Sequence, residues 1–236
     1  MRRALRVLHT ADLHLDGDAY GRAEDLPAHR EREQRVFRQV IDRALADQVD
    51  LVLIAGDLFD HNRVSDESVA FVRAELARLR QPVVILPGNH DCLETNGVHD
   101  RHDFAKDAGH VRVIRRLDGE TIDFPELDLV VWGRGMAEHA PSFQPLAHIP
   151  SRDPRRWCLA MGHGFFYDER QRPERSSPIF AEEIRDTGWD YVALGHHHLQ
   201  ANVSQPGVTA WYAGAPGTVV RVDFAPDGIR AEPRAL

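Results

Sequence analysis

Thiols are scarce in this chain. Cys92 and Cys158 are the only cysteines in 236 residues and no CxxC pair exists, which argues against a thiolate metal site. Two free thiols in a reducing cytoplasm is the reading that remains. Long apolar runs are missing too. None approaches the roughly 20 residues that a membrane helix needs, and Met1-Arg2-Arg3 leads into a short strand without an apolar leader. The expectation is a cytoplasmic protein with no membrane partner. Basic charge is in deficit, with 29 Lys and Arg against 37 Asp and Glu and a formal charge of −8. That balance argues against non-specific coating of long nucleic acid, though a local basic channel stays compatible with it. No linker, repeat or low-complexity tract interrupts the chain, so residues 1–236 are read as a single domain.

What is present is a set of apolar runs that end in glycine and polar groups. The strongest is Leu51 to Asp60, LVLIAGDLFD. Five unbroken apolar residues predict a strand buried on both faces, as in a parallel sheet. Gly56 and Asp57 end it, and in open α/β sheets ligands sit beyond the carboxyl ends of strands. Ala4 to His9 predicts a first strand, leading to Thr10-Ala11-Asp12-Leu13-His14. Asp16 to Pro27 reads as a loop. Ala28 to Gln48 predicts a helix with Val36, Phe37, Val40, Ile41, Ala44 and Leu45 on one face. Ser65 is placed to cap a second helix to about Arg80, with Val69, Val72, Leu76 and Leu79 inward. Pro82 to Leu86 ends in Pro87-Gly88-Asn89-His90-Asp91.

Cys92 to Gly109 predicts a loop with a short helix. Val111 to Ile114, Glu120 to Phe124 and Leu127 to Gly133 predict short strands, and Met136 to Arg156 is read as mostly irregular. Trp157 to Met161 leads into Gly162-His163-Gly164. Asp168 to Pro178 is a charged loop whose Arg170, Arg172 and Arg175 are candidates to line a groove for an anion, although a solvated loop is the plainer reading. Pro178 to Thr187 suits a short helix closed by Gly188. Asp190 to Leu194 ends in Gly195-His196-His197-His198. Thr209 to Tyr212 and Val219 to Phe224 are strand-like, with a turn at Gly214-Ala215-Pro216-Gly217.

The strand-end groups are Asp12, His14, Asp57, Asn89, His163, His196 and His198. Carboxylate, imidazole and amide oxygen together suit manganese, iron or zinc better than magnesium or calcium. Seven side chains exceed what one catalytic ion takes. Two ions sharing a bridging carboxylate fit the count, and a spacing of about 3.5–4 Å clamps a phosphate and activates a shared water. Asp57, on the most buried strand, is the expected bridge. In an extended segment residues two apart point the same way. Asp12 and His14 would then face one ion, and His196 and His198 would face inward with His197 away. By the same rule Asn89 and His90 diverge, leaving His90 free to give or take a proton.

DLH at 12–14, GDLFD at 56–60, GNHD at 88–91, GH at 162–163 and GHHH at 195–198 match, in order, the motif set of the calcineurin-like metallophosphoesterases. The wording HTADLHL, AGDLFD, PGNHD and YVALGHHH looks most like the SbcD-type DNA-repair exonucleases. The resemblance implies an α/β fold of two mixed β-sheets packed face to face and flanked by helices. It implies a two-metal phosphoesterase cutting phosphodiester bonds, with DNA among the candidate substrates. Small-molecule phosphodiesterase, phosphatase and a dead binding module are the alternatives. Carried over by motif, Asp12, His14, Asp57 and His198 hold one divalent ion, and Asp57, Asn89, His163 and His196 hold the other. Manganese is the expected metal, with iron and zinc as alternatives. His90 is implied as the general acid and Asp91 as the residue orienting it. Asp60 stands where some nuclease members carry histidine. SbcD-type nucleases also carry a capping domain and a segment that docks an ATPase. The sequence ends about 40 residues past the last motif, so neither a cap nor an ATPase partner is expected.

Overall fold

The computed structural model describes residues 2–17, 25–169 and 175–236. The chain opens with β1 (Leu5–Thr10), α1 (Leu26–Ala46), β2 (Leu51–Ala55), α2 (Asp66–Leu76) and β3 (Val83–Leu86). Two short helices follow, α3 (Val98–Arg101) and α4 (Phe104–Asp107). Then come β4 (Val111–Val113), β5 (Glu120–Phe124), β6 (Leu129–Gly133), β7 (Trp157–His163), β8 (Phe165–Tyr167) and β9 (Pro178–Phe180). The chain closes with α5 (Ala181–Thr187), β10 (Tyr191–Gly195), β11 (Ala201–Asn202), β12 (Thr209–Tyr212), β13 (Thr218–Ala225) and β14 (Gly228–Ala235).

Two six-stranded sheets result, in the orders β14-β13-β1-β2-β3-β4 and β11-β12-β10-β7-β6-β5. Both are mixed. β1 to β4 run parallel, while β13 joins β1 antiparallel. In the second sheet β6, β7, β10 and β12 run parallel. Alternation along each strand divides the apolar side chains among three layers. On β2, Leu51, Leu53 and Ala55 enter the core between the sheets with Val84, Leu159, Met161 and Tyr191. Val52 and Ile54 turn the other way, toward Phe37, Ile41, Val69 and Val72 of α1 and α2. The outer face of the second sheet packs Val192 and Leu194 against Ile184 and Trp189. This is the expected architecture of two mixed sheets flanked by helices, and β2 is buried along its whole length.

Several boundaries differ from the sequence reading. α1 begins at Leu26, with Pro27 in its first turn, where the missing N–H costs nothing. α2 stops at Leu76, because Arg78 and Leu79 close tighter turns onto the carbonyls of Glu75 and Leu76; Leu79 is buried all the same. Pro178–Phe180 is a strand, not the start of a helix, because it pairs in parallel with β8. β14 escaped the reading. It lies at a sheet edge with alternating and mostly exposed residues, so it has no apolar run. Asp227-Gly228 before it was the available hairpin signal.

Candidate metal centre

β1, β2 and β3 are neighbours in one sheet, and β7 and β10 are neighbours in the other. The sheets pack through a common core, so the five strand ends converge at one edge. The segments after them are not extended, which corrects the sequence expectation. Asp12, His14, Asp57 and His196 have φ of 53°, 47°, 50° and 94°, a left-handed conformation that costs roughly 1–3 kcal/mol per residue and tends to collect at functional sites. The turn is held by backbone pairing between loops: the N–H groups of Asp12, Leu13 and His14 donate to the carbonyls of Gly56 and Asp57. Asp12 and His14 still meet at one place, for this reason and not through strand alternation. Gly56 is fixed by the same geometry. Its φ is +95°, and a Cβ there would fall 1.9 Å from Nδ1 of His163. A Cβ at Gly88 would fall 2.2 Å from the Asp57 carboxylate.

Three groups of side chains gather at these ends; one, of His14, Asp60 and His90, lies on the rim, and the other two hold the expected ligands. Asp12, His14 and His198 form the first of these two; Asp57, His163 and His196 form the second. Within each, one ligand atom per residue lies within 4.8 Å of the rest. The Oδ1 of Asn89 joins the second, 3.0 Å from Nε2 of His163 and 2.8 Å from Nδ1 of His196. Asp57 lies between the groups, its Oδ2 3.1 Å from Nε2 of His163 and 3.9 Å from Nε2 of His14. All seven sequence-predicted ligand positions are thus brought together. His197 is directed elsewhere, with Nδ1 3.2 Å from the Leu199 carbonyl oxygen and its ring against Phe165 and Tyr212.

The hydrogen bonds fit this donor set to cations. Nδ1 of His163 donates to the Ala55 carbonyl at 3.0 Å, so Nε2 turns a lone pair toward two oxygen acceptors. That is repulsive unless a proton or a metal ion lies between them. Burial works against charging this ring, but the Asp57 carboxylate prevails and holds its pKa up at about 9. Nδ1 of His14 donates to Oδ1 of Asp60 at 2.9 Å, which fixes the tautomer as a carboxylate commonly does for a metal-ligating histidine. Nε2 of His14 is then buried with no hydrogen-bond partner. Burial pushes the Asp12 carboxyl up to about 7; a divalent cation beside it would favour the ionised form. Burial opposes charge on Asp57 too, yet His163 holds it well below the usual carboxylate range. His196 is pushed down to about 3 by burial and by His163, and burial lowers His198 as well, so both stay in the neutral form that a metal takes.

His90 occupies the rim, its ring edge-on to His14 with centroids 4.6 Å apart. Its backbone N–H donates to Asp57 Oδ1, and its Nδ1 donates to the Asp60 carbonyl at 2.7 Å. Nε2 is therefore the atom free to face a substrate. Asp91 is bonded elsewhere. Its fully buried carboxylate accepts from the backbone N–H groups of Leu58, Phe59 and Gly88. It also meets Nε2 of His99 at 3.3 Å. The residue bonded to His90 is Asp60, so the orienting role read for Asp91 is corrected: Asp91 joins the loops after β2 and β3. His99 carried no local signal because it acts from α3, beyond the motif. Nor did His139, in the irregular segment, whose ring lies 5.1 Å from that of His196. Arg170 and Arg172 lie outside the described residues. Arg175 stacks over Phe165 at 4.3 Å.

Mixed nitrogen and oxygen donors at the joined ends of two packed sheets form a candidate site for divalent metal ions. Residues 5–200 match the calcineurin-like phosphoesterase family, and the chain belongs to that family, whose members use two divalent metal ions to cleave phosphoester bonds. It is 38% identical over 232 residues to the uncharacterized metallophosphoesterase YhaO of Bacillus subtilis, covering 89% of this chain and 52% of that protein. It is 26% identical over 241 residues to the DNA double-strand break repair protein Mre11 of Saccharolobus solfataricus, covering 97% and 56%. Among solved structures, a protein of Thermus thermophilus, TT1561, superposes with a TM-score of 0.63 at 10% identity, covering 98% and 99%. At that identity the likeness concerns the fold alone. The chain spans about half the length of these curated relatives.

Proposed function

We propose that the chain is a manganese-dependent phosphodiesterase, with the phosphodiester backbone of DNA within its range. The observation that carries the reading is the position of Asp57 between two Asp/His groups, with His90 on the rim. Asp12, His14, Asp57 and His198 would hold one ion, and Asp57, Asn89, His163 and His196 the other. When bound, such a pair supplies Lewis acidity to phosphate oxygens and lowers the pKa of a water. The chain's own part is to orient and to move a proton. Asp60 holds His14 and His90 in place, and Nε2 of His90 delivers a proton to the leaving oxygen. The P–O bond to that oxygen breaks, a P–O bond to a water oxygen forms, and the water's proton passes to solvent. Residues 1–236 would act as one catalytic domain, because candidate ligands follow strands of both sheets.

The name of the Mre11 relative and the motif wording support a nuclease. The net charge of −8 supports weak hold on duplex DNA, whose affinity for proteins rests on phosphate contacts. No helix among the described residues is long and apolar enough to cross a membrane, and the two free cysteines suit a reducing cytoplasm. The test is hydrolysis of bis(p-nitrophenyl) phosphate, p-nitrophenyl phosphate, single-stranded DNA and blunt duplex by manganese-loaded protein. Cleavage of the diester, slow cleavage of the single strand and little processive action on duplex are expected. Turnover of the monoester alone would move the chain to the phosphatases.

A further inference from the structure

A cavity of about 430 Å³ opens beside the metal centre. His14, Asp60, His90 and His198 form its inner wall, while Asp57, Asn89, His163 and His196 take no part in it. Its other walls come from α1 and two loops. Leu13, Val36 and Pro216 supply apolar surface. His29 and Glu33, paired at 2.8 Å, supply the polar edge, and Gly17 donates its N–H to the same carboxylate. The exposed Arg32 stands at the rim. Pockets for small organic ligands begin at roughly 300 Å³ and combine apolar walls with a few fixed polar groups. This one is far larger than a simple alcohol requires.

We infer that this cavity receives a nucleoside as the leaving group of the diester, with Val36 and Leu13 against the ring system and the His29–Glu33 edge against its hydroxyl or amino groups. The inference rests on the phosphodiesterase reading, since it is the place of His90 on the wall that makes this the leaving side. Proton transfer from His90 puts the departing oxygen at the cavity mouth, so the group carried by that oxygen has to lie inside. Arg32 at the rim is then placed for a further phosphate on a longer strand.

The methyl ester of thymidine 5′-phosphate tests this within one molecule, because either alcohol can leave. Occupation of the cavity by the nucleoside predicts thymidine and methyl phosphate over thymidine 5′-phosphate and methanol. The ratio should be about tenfold or more, the usual worth of a few pocket contacts. Val36→Trp, which fills the cavity, and Glu33→Gln, which alters its polar edge, should each bring the ratio toward unity. A ratio near unity in the unaltered protein, or one that neither variant moves, overturns the inference while leaving diester hydrolysis intact. If neither product forms, the phosphodiesterase reading fails. The cavity is then judged by titrating thymidine into manganese-loaded protein. Saturable binding that Val36→Trp abolishes supports the cavity's assignment, and no binding overturns it.

Discussion

At the residue scale the proposed mechanism separates holding from reacting. His90 follows Asn89 directly, yet Asn89 faces the histidines of the second sheet while His90 faces Asp60. His90→Ala should therefore keep its metal content and lose about 10²–10⁴-fold in turnover on alkyl diesters, the range for general acid catalysis. The loss should shrink on nitrophenyl esters, whose leaving groups need little protonation. Rate assays paired with elemental analysis check this, and equal loss on every substrate would contradict it. A second residue sets acid stability. His9 is fully buried beside the Tyr191 hydroxyl at 2.9 Å, and burial pushes its pKa down to about 3. The unfolded chain binds that proton from about pH 6.5 downward, so the unfolded state holds more protons between about pH 6.5 and 3. Stability from this group is full above the window and falls as pH drops through it, by about 1.4 kcal/mol per pH unit. Denaturant melts of His9→Gln across that window should show a shallower acid slope than the unaltered protein.

At the element scale, the parts legible in the sequence were those that combine apolar runs with a glycine-bounded end. β2, β3 and β10 are buried throughout, so their composition announced them, and the polar groups after them marked the candidate ligands. The left-handed turns at Asp12, His14, Asp57 and His196 left no such mark, because their cause is pairing between loops distant in sequence. β14 and β9 were hidden for a similar reason: an edge strand and a three-residue strand are defined by their partners. Asp91 shows how far adjacency misleads. It stands next to His90 in sequence, but its carboxylate ties the loop after β2 to the loop after β3. Asp91→Asn should cost about 1.5–3 kcal/mol or more, since buried hydrogen bonds to a charged acceptor are lost. Neutralising the exposed Asp118 should stay within about 0.5 kcal/mol. Equal denaturation midpoints for the two variants would remove the clamp role from Asp91.

At the scale of the whole molecule, the sandwich exists to bring two sheets' strand ends to one edge. Asp12, His14, Asp57 and Asn89 come from the first sheet, and His163, His196 and His198 from the second. Ions held between them should stabilise the folded chain by mass action, because the unfolded chain offers no preformed site. The Asp57 carboxylate faces both groups. The measurement that tests this most directly is manganese stoichiometry on purified, metal-loaded protein, beside Asp57→Asn and Asp12→Asn. Two ions per chain are expected, with Asp57→Asn weakening both sites and Asp12→Asn mainly one. A stoichiometry that never passes one, or an Asp57→Asn protein that still binds two ions with unaltered affinity, would contradict the shared-carboxylate centre.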